Sequence, residues 1–551
     1  MKIIRFLSLA FLVTIISLGS GFVLSYRAQE ALDSRYYPPL PITLGNFKEL
    51  PAKPPYPPNA ISFADVAWKT FVTLNWPANY EGKPLELKFG EAPLAPRVWE
   101  FYRTPAEVFL PNAENPVLST LNPFATRTLK LDLNEAKGSG LLETSKMEEN
   151  IRKSRAWVER VNASGKCPRE EVDSAPEGSE DDFFNNIPLV DRRGNYAIVE
   201  THLNHNEFKQ IVDNEWYKPN KLAEYKDEKR FAFNSTAVSV DAPIEIKAAW
   251  RVFDKDSKPE EKARYYTTKR VLEIPKQRFC SKGSCPDARN PNISSPDETV
   301  LQKIEVGLIG LHIAYKMPNQ QGSTPGWVWA TFEQVDNLEV INPPKGVELK
   351  PTLSDPDCDA KMGNCKPNYP YVEWPFLWRD ESPHAVTQTI SPEGKIVPKA
   401  QIPTQVVRLA EQPKCRNSYL ADDIKKQLKQ QNEKWQEEFK NVADNSVWQY
   451  YQLVGTQWMQ SPGIFHENPP SKNPGQSLSD RLISLIQKEQ IRPGALVNVS
   501  LEAYSQNQIH GDSCIGCHVH AKLPNSRGNS QEVLSDFSFL LEEVGRSTSP
   551  R

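Results

Sequence analysis

Near the end of the 551-residue chain stand Cys514-Ile515-Gly516-Cys517-His518. On a turn of helix, positions i, i+3 and i+4 share a face, so two thiols and an imidazole at this spacing converge on one object. The pattern is the attachment signature of a c-type haem. Cys514 and Cys517 would form thioethers to the porphyrin, and His518 would be the proximal ligand of its iron. With eight Cys and eight His in the chain, chance would produce it roughly once in several hundred such sequences. A thiol-redox pair needs a thioredoxin-like βαβ context, and none surrounds the motif. A zinc site would have to combine His510, Cys514, Cys517 and His520. His520, two residues past His518, points elsewhere and is no second ligand to the same iron.

The second axial position separates two chemistries. A Met or His there makes a low-spin electron carrier, whereas an open position suits catalysis or gas binding. His312, inside the apolar run Lys303–Lys316, and Met459, shortly before Pro462, are the candidates. Each also has a plain alternative: a core histidine bonded to backbone, or a gap-filling methionine. Met317, Met362, His202, His205, His466 and His510 are weaker; His202 and His205 are spaced as a metal pair, without an evident third ligand. The 33 residues after His518 contain no Met, so the haem is expected to dock against the upstream body or the helices at 421–460. Trp327, Trp329, Phe332, Trp448, Tyr450, Tyr451 and Trp458 offer either a dry shelf for it or ordinary core.

The elements that must position these residues lie in a chain of mixed character. Its 66 Lys plus Arg against 69 Asp plus Glu give a net charge of −3, with no basic face of the kind nucleic acid requires. A mean hydropathy of −0.56 excludes a polytopic membrane protein. Lys2 and Arg5 precede an apolar run from Phe6 to about Ser25, an export signal that is either cleaved or kept as a single membrane anchor. Export fits covalent haem and an oxidising, periplasm-like compartment. Cys167, Cys280, Cys285, Cys358, Cys365 and Cys415 are an even set for disulfides there. The close pairs 280/285 and 358/365 suggest local loops, although six cysteines allow 15 pairings.

Proline is abundant, 47 residues against 26 Gly, and a proline-rich linker fills 26–60. Apolar residues from Phe63 to Leu74 recur at helical spacing until Pro77, and 141–162 reads as an amphipathic helix. Segments 195–204, 244–253 and 303–316 read as buried strands, while 326–337 fits strand or helix. Loops are expected at 170–182, 280–299 and 342–370, the first carrying the acidic run Glu177–Asp182. Helices are expected again at 421–442 and, rich in aromatics, at 445–459. Ser535 should cap a short helix that turns Phe537, Leu540 and Leu541 inward. The fold class is α+β: a body at 61–420 with buried strands and flanking helices, then a mainly helical region at 421–551 bearing the haem.

The stretch from Leu501 through the motif to Leu541 resembles large single-haem bacterial proteins of the cytochrome c family. So do AWKTFVTLNWP (67–77), VGLIGLHIAYK (306–316) and PGWVWATFEQVDN (325–337). The resemblance implies an exported protein with one covalent haem c and brings no substrate; Cys514, Cys517 and His518 carry over. The expected function is electron transfer with a redox partner protein or a small donor or acceptor. The alternative is a peroxidase-like oxidoreductase with an open iron position, which the size of the chain favours and the absence of a recognisable acid–base pair near the motif opposes.

Overall fold

The structure, a computed structural model, describes residues 60–80, 82–116, 128–130, 189, 191–195, 197–225, 231–235, 242–275, 299–317, 326–338, 344–354, 387–390, 396–399, 406, 422–443, 446–459, 491–492, 496, 498–502, 514–519, 521–524 and 533–544. The apolar run 6–25, the proline-rich linker before residue 60, the segment 141–162 and the loop at 170–182 lie outside the described residues. So do Met362, His466, His510, His520 and the six cysteines other than Cys514 and Cys517. Among the described residues no helix is long and apolar enough to cross a membrane.

The α+β expectation holds. Strands Thr128–Lys130 (β1), Ala197–Leu203 (β2), Ile244–Val252 (β3), Thr267–Pro275 (β4), Thr299–Met317 (β5) and Gly326–Gln334 (β6) join one sheet with Tyr451–Met459 (β9) and Ile491–Arg492 (β10). Thr387–Ile390 (β7) and Ile396–Lys399 (β8) pair separately. Among the described residues of the large sheet only β1 and β4 pair in parallel. The segment that fitted strand or helix is thus strand β6.

Strand β5 is the axis. Gly307 pairs with Arg251 of β3 and with Thr267 of β4, so those strands flank β5 on opposite edges. From Gly310 onward β6 takes over the edge that β4 leaves, because β3 still occupies the other. Ala249 faces Gly310 while Trp250 faces Leu308, which makes Ile309 the extra residue of a bulge. Ile304, Val306 and Leu308, then Leu311, Ile313 and Tyr315, consequently reach the same core. A strict period of two would have sent the second set to the opposite face.

That core is closed by Ala60–Leu74 (α1) and Asp422–Val442 (α3). Trp68 of α1 meets Phe332 edge-on at 4.9 Å and stacks on Trp435 of α3 at 5.9 Å, and its indole N–H donates to Asn432. Each such aromatic pair adds on the order of 1 kcal/mol beyond its buried area.

One expectation is corrected. Segment 445–459 is a 3₁₀ turn at Val447–Tyr450 followed by β9, not a helix. Pairing with β6 overrides its helical spacing, and Tyr451 fixes the register by donating to the Leu308 carbonyl at 2.9 Å and accepting the Tyr266 N–H at 3.0 Å. The region after residue 421 therefore contributes strands to the body's own sheet.

A tight turn at 498–502 is pressed onto β5 and β6. Asn498 Nδ2 donates to Thr331 Oγ1 and the Phe332 carbonyl, and Val499 N–H to Glu333. Gly310 lies beneath: a Cβ there would fall 2.0 Å from Ser500 Oγ, itself bonded to Asn498. Gly310→Ala should destabilise the protein by about 1–3 kcal/mol in chemical denaturation, and Gly310→Ala/Ser500→Gly should recover part of the loss.

Candidate haem-attachment site

The sheet face opposite the α1–α3 core is built from the alternate residues of the same strands. It carries Lys247 of β3, His312 and Lys316 of β5, Trp329 of β6, and Gln457 and Met459 of β9. The CxxCH segment packs here. Cys514–His518 is one helical turn (α4), tied to β9 where the Ile515 N–H donates to Gln457 Oε1 at 2.9 Å. Ile515 is fully buried, and Cys514 belongs to the apolar cluster that holds Trp329, Met459 and Phe537. Cys517 and His518 follow at i+3 and i+4 of the same turn.

Past α4 the chain runs out and back. Leu523 N–H donates to the Val533 carbonyl, and Ser535 N–H to the Ala521 carbonyl, each at 2.9 Å. The return ends in a turn closed by Ser535 Oγ on the Ser538 carbonyl at 2.6 Å. Within it Asp536 and Phe537 take φ of +56° and +67°, left-handed conformations that cost free energy without glycine. Here the expected Ser535-capped helix is corrected: helical structure begins only at Leu540–Glu543, as a 3₁₀ turn, although Phe537, Leu540 and Leu541 do face inward.

The result of this turn is a 2.7 Å hydrogen bond between His518 Nδ1 and the Phe537 carbonyl. A carbonyl oxygen only accepts, so Nδ1 carries the proton and Nε2 keeps its lone pair. Trp329 and Phe539 flank the ring, with centroids at 5.9 and 5.0 Å. Burial pushes the imidazole down to about 4, with Lys247 and His312 adding to it against the Phe537 carbonyl. At neutral pH His518 is therefore uncharged, the state a metal requires of a histidine ligand. Two cysteines of one helical turn, with an imidazole of fixed tautomer at its end, fit the group that the spacing implies.

Both candidate sixth ligands lie on this face. Met459 shares the apolar cluster of Cys514. His312 meets the turn at 498–502, its Nε2 lying 3.1 Å from Glu502 Oε2. Burial acts to raise the Glu502 carboxyl, but His312 and then Lys247 outweigh it and hold it below the ordinary range. An acid–base pair that sequence could not reveal is thus assembled from residues 190 positions apart. The aromatic shelf divides: Trp327 and Trp329 lie on this side, while Phe332, Trp448, Tyr451 and Trp458 belong to the opposite core. His202 is a core residue, with Nδ1 on the Tyr102 carbonyl and Nε2 3.3 Å from Glu200. Among the described residues no group of three or more His, Cys, Asp or Glu is placed to hold a bare metal ion.

Sequence reasoning missed the Phe537 carbonyl, which no side chain announces, and the polar residues set at alternate positions of apolar strands, where the pattern did signal a second buried face. Glu245 of β3 is one. It is buried beside Glu207 of His205–Asp213 (α2), whose N-cap Asn204 accepts the Glu207 N–H at 3.1 Å. Burial, and then the charge of Glu245, holds the Glu207 carboxyl well above its usual range; burial lifts Glu245 to about 7. Carboxyls raised on folding stabilise the folded chain fully only below their unfolded value, and that stability is lost as pH rises through the folded values. His518 and Glu502, both shifted down, are already settled above pH 6.5. The free energy of unfolding should therefore fall between pH 6.5 and 8.5, by on the order of 1–3 kcal/mol, and Glu207→Gln should flatten that fall in chemical denaturation.

No protein-family model, no curated protein and no solved structure matches the chain, so the chemistry of this site is argued from its own residues.

Proposed function

We propose that the protein is an exported c-type cytochrome with one haem, held covalently by Cys514 and Cys517 and ligated by His518, which exchanges electrons with a redox partner protein or a small donor or acceptor. The observation that carries this reading is the His518–Phe537 contact. A metal-binding imidazole characteristically gives its second N–H to a carbonyl, which fixes the tautomer and strengthens the donor nitrogen. Beside the motif, that arrangement supports His518 as the axial ligand. Bound haem would supply a one-electron couple. The chain's own part is to hold the imidazole, to exclude water with Trp329, Phe537 and Phe539, and to keep Cys514 within an apolar surround. Met459, its thioether buried in the cluster of Cys514, suits a low-spin carrier as sixth ligand.

A second reading has its own observation. His312 paired with Glu502 is a proton donor–acceptor couple on the same face, and it favours an oxidoreductase with an open iron position. His312 then handles protons instead of serving as the sixth ligand.

Expressed with cytochrome maturation machinery, the protein should carry one haem per chain by pyridine haemochrome, resistant to acidified acetone. Cys514→Ser/Cys517→Ser should abolish that covalent pigment. A reduced α-band unaltered by carbon monoxide supports the carrier, and a shifted one the open site. A colourless wild-type chain would falsify both.

A further inference from the structure

Phe537 presents its carbonyl to His518 from a left-handed backbone that its neighbour Asp536 shares. Such a pair persists only when its surroundings over-determine it. What does so here is a closed ring of buried groups. Asp536 Oδ2 accepts the Phe233 N–H at 2.8 Å and the ammonium of Lys316. Lys316 Nζ in turn donates to the Phe233 carbonyl at 2.6 Å. Lys316 and Asp536 side chains are both fully buried. The Lys316 backbone is pinned as well, its N–H on the Pro243 carbonyl and its carbonyl on Ser235 Oγ. A buried pair of opposite charges recovers at best its desolvation cost, so its presence is weak evidence for a role in stability alone. It does supply direction: an ammonium at the end of β5 holds one carboxylate in one place.

We infer that Lys316 and Asp536 are positioning residues for the iron ligand: through the turn Ser535–Ser538 they hold the Phe537 carbonyl against His518 Nδ1. The inference rests on the haem reading for its functional meaning but not for its geometry. Lys316 is the fixed point because it belongs to the central strand of the sheet. Asp536 is the moving part, one residue from the carbonyl. Without the ring the turn relaxes towards right-handed backbone, and the carbonyl leaves the imidazole.

Two measurements on the full chain test this. In the haem-free Cys514→Ser/Cys517→Ser background, hydrogen exchange of 533–540 and of the Phe233 amide should quicken at least about tenfold on adding Asp536→Ala or Lys316→Met. Adding Asp536→Asn, which tolerates left-handed backbone and still accepts the Phe233 N–H, should restore part of the protection. In haem-loaded protein the same single variants should keep one haem per chain while the midpoint potential rises, because an imidazole without its carbonyl partner is a weaker donor to the oxidised iron. Should a single variant fail to fold, Lys316→Met/Asp536→Asn, which removes both charges together, takes its place in each measurement. Unchanged exchange in 533–540, or faster exchange with an unmoved potential, overturns the inference while leaving the haem reading intact. A wild-type chain that takes up no haem overturns the haem reading, and exchange alone then decides the ring.

Discussion

A proton on one particular nitrogen governs the site. His518 faces a carbonyl oxygen through Nδ1, so its lone pair is committed to Nε2. Burial reinforces the choice by keeping the ring uncharged. Neither thiol of the motif depends on tautomer, but a nitrogen donor does. Everything around the imidazole serves that contact: a left-handed turn to aim the carbonyl, a buried ion pair behind the turn, and a glutamine that fastens the start of the motif to the sheet.

The sheet makes this possible by having two buried faces of unlike character. One is dry and aromatic, closed by α1 and α3. The other mixes large apolar groups with Lys316, Glu245, His312 and Gln457, and is covered by α2, the segment around Phe233 and the polypeptide that follows β9. Polar groups on a covered face need partners, and the C-terminal segment supplies many of them: Asp536 for Lys316, Glu502 for His312, the Ile515 N–H for Gln457. The same pairings that satisfy the sheet thus dock the motif in register.

Charge is distributed with a similar economy. Near His518 lie Lys247 and the His312–Glu502 pair, and beyond Asp536 lie Glu245 and Glu207, which burial keeps partly protonated. A carboxyl that stays neutral near Asp536 leaves the lysine's charge free for Asp536, so the ion pair behind the Phe537 turn is not diluted by competing acids.

The sequence by itself marked the candidate haem-attachment residues and the strands at the centre of the sheet. Spacing alone named Cys514, Cys517 and His518, because a helical turn brings i, i+3 and i+4 together wherever it is placed. Apolar runs named β2, β3 and β5, and apolar residues at helical spacing named the helix at 60–74, since burial of a repeating face is a local property of the letters, while 422–442 read as a long polar helix. Segment 445–459 was misread because aromatic spacing fits both periods, and only its pairing with β6 selects strand. The bulges at Ile309 and Val454, which decide the face each later residue joins, leave no mark in composition. Tertiary structure alone decided that the Phe537 carbonyl meets His518, that Glu502 meets His312 and that Asp536 meets Lys316. These contacts join residues 19 to 220 positions apart, and a backbone carbonyl belongs to every residue alike, so nothing in the letters could single one out.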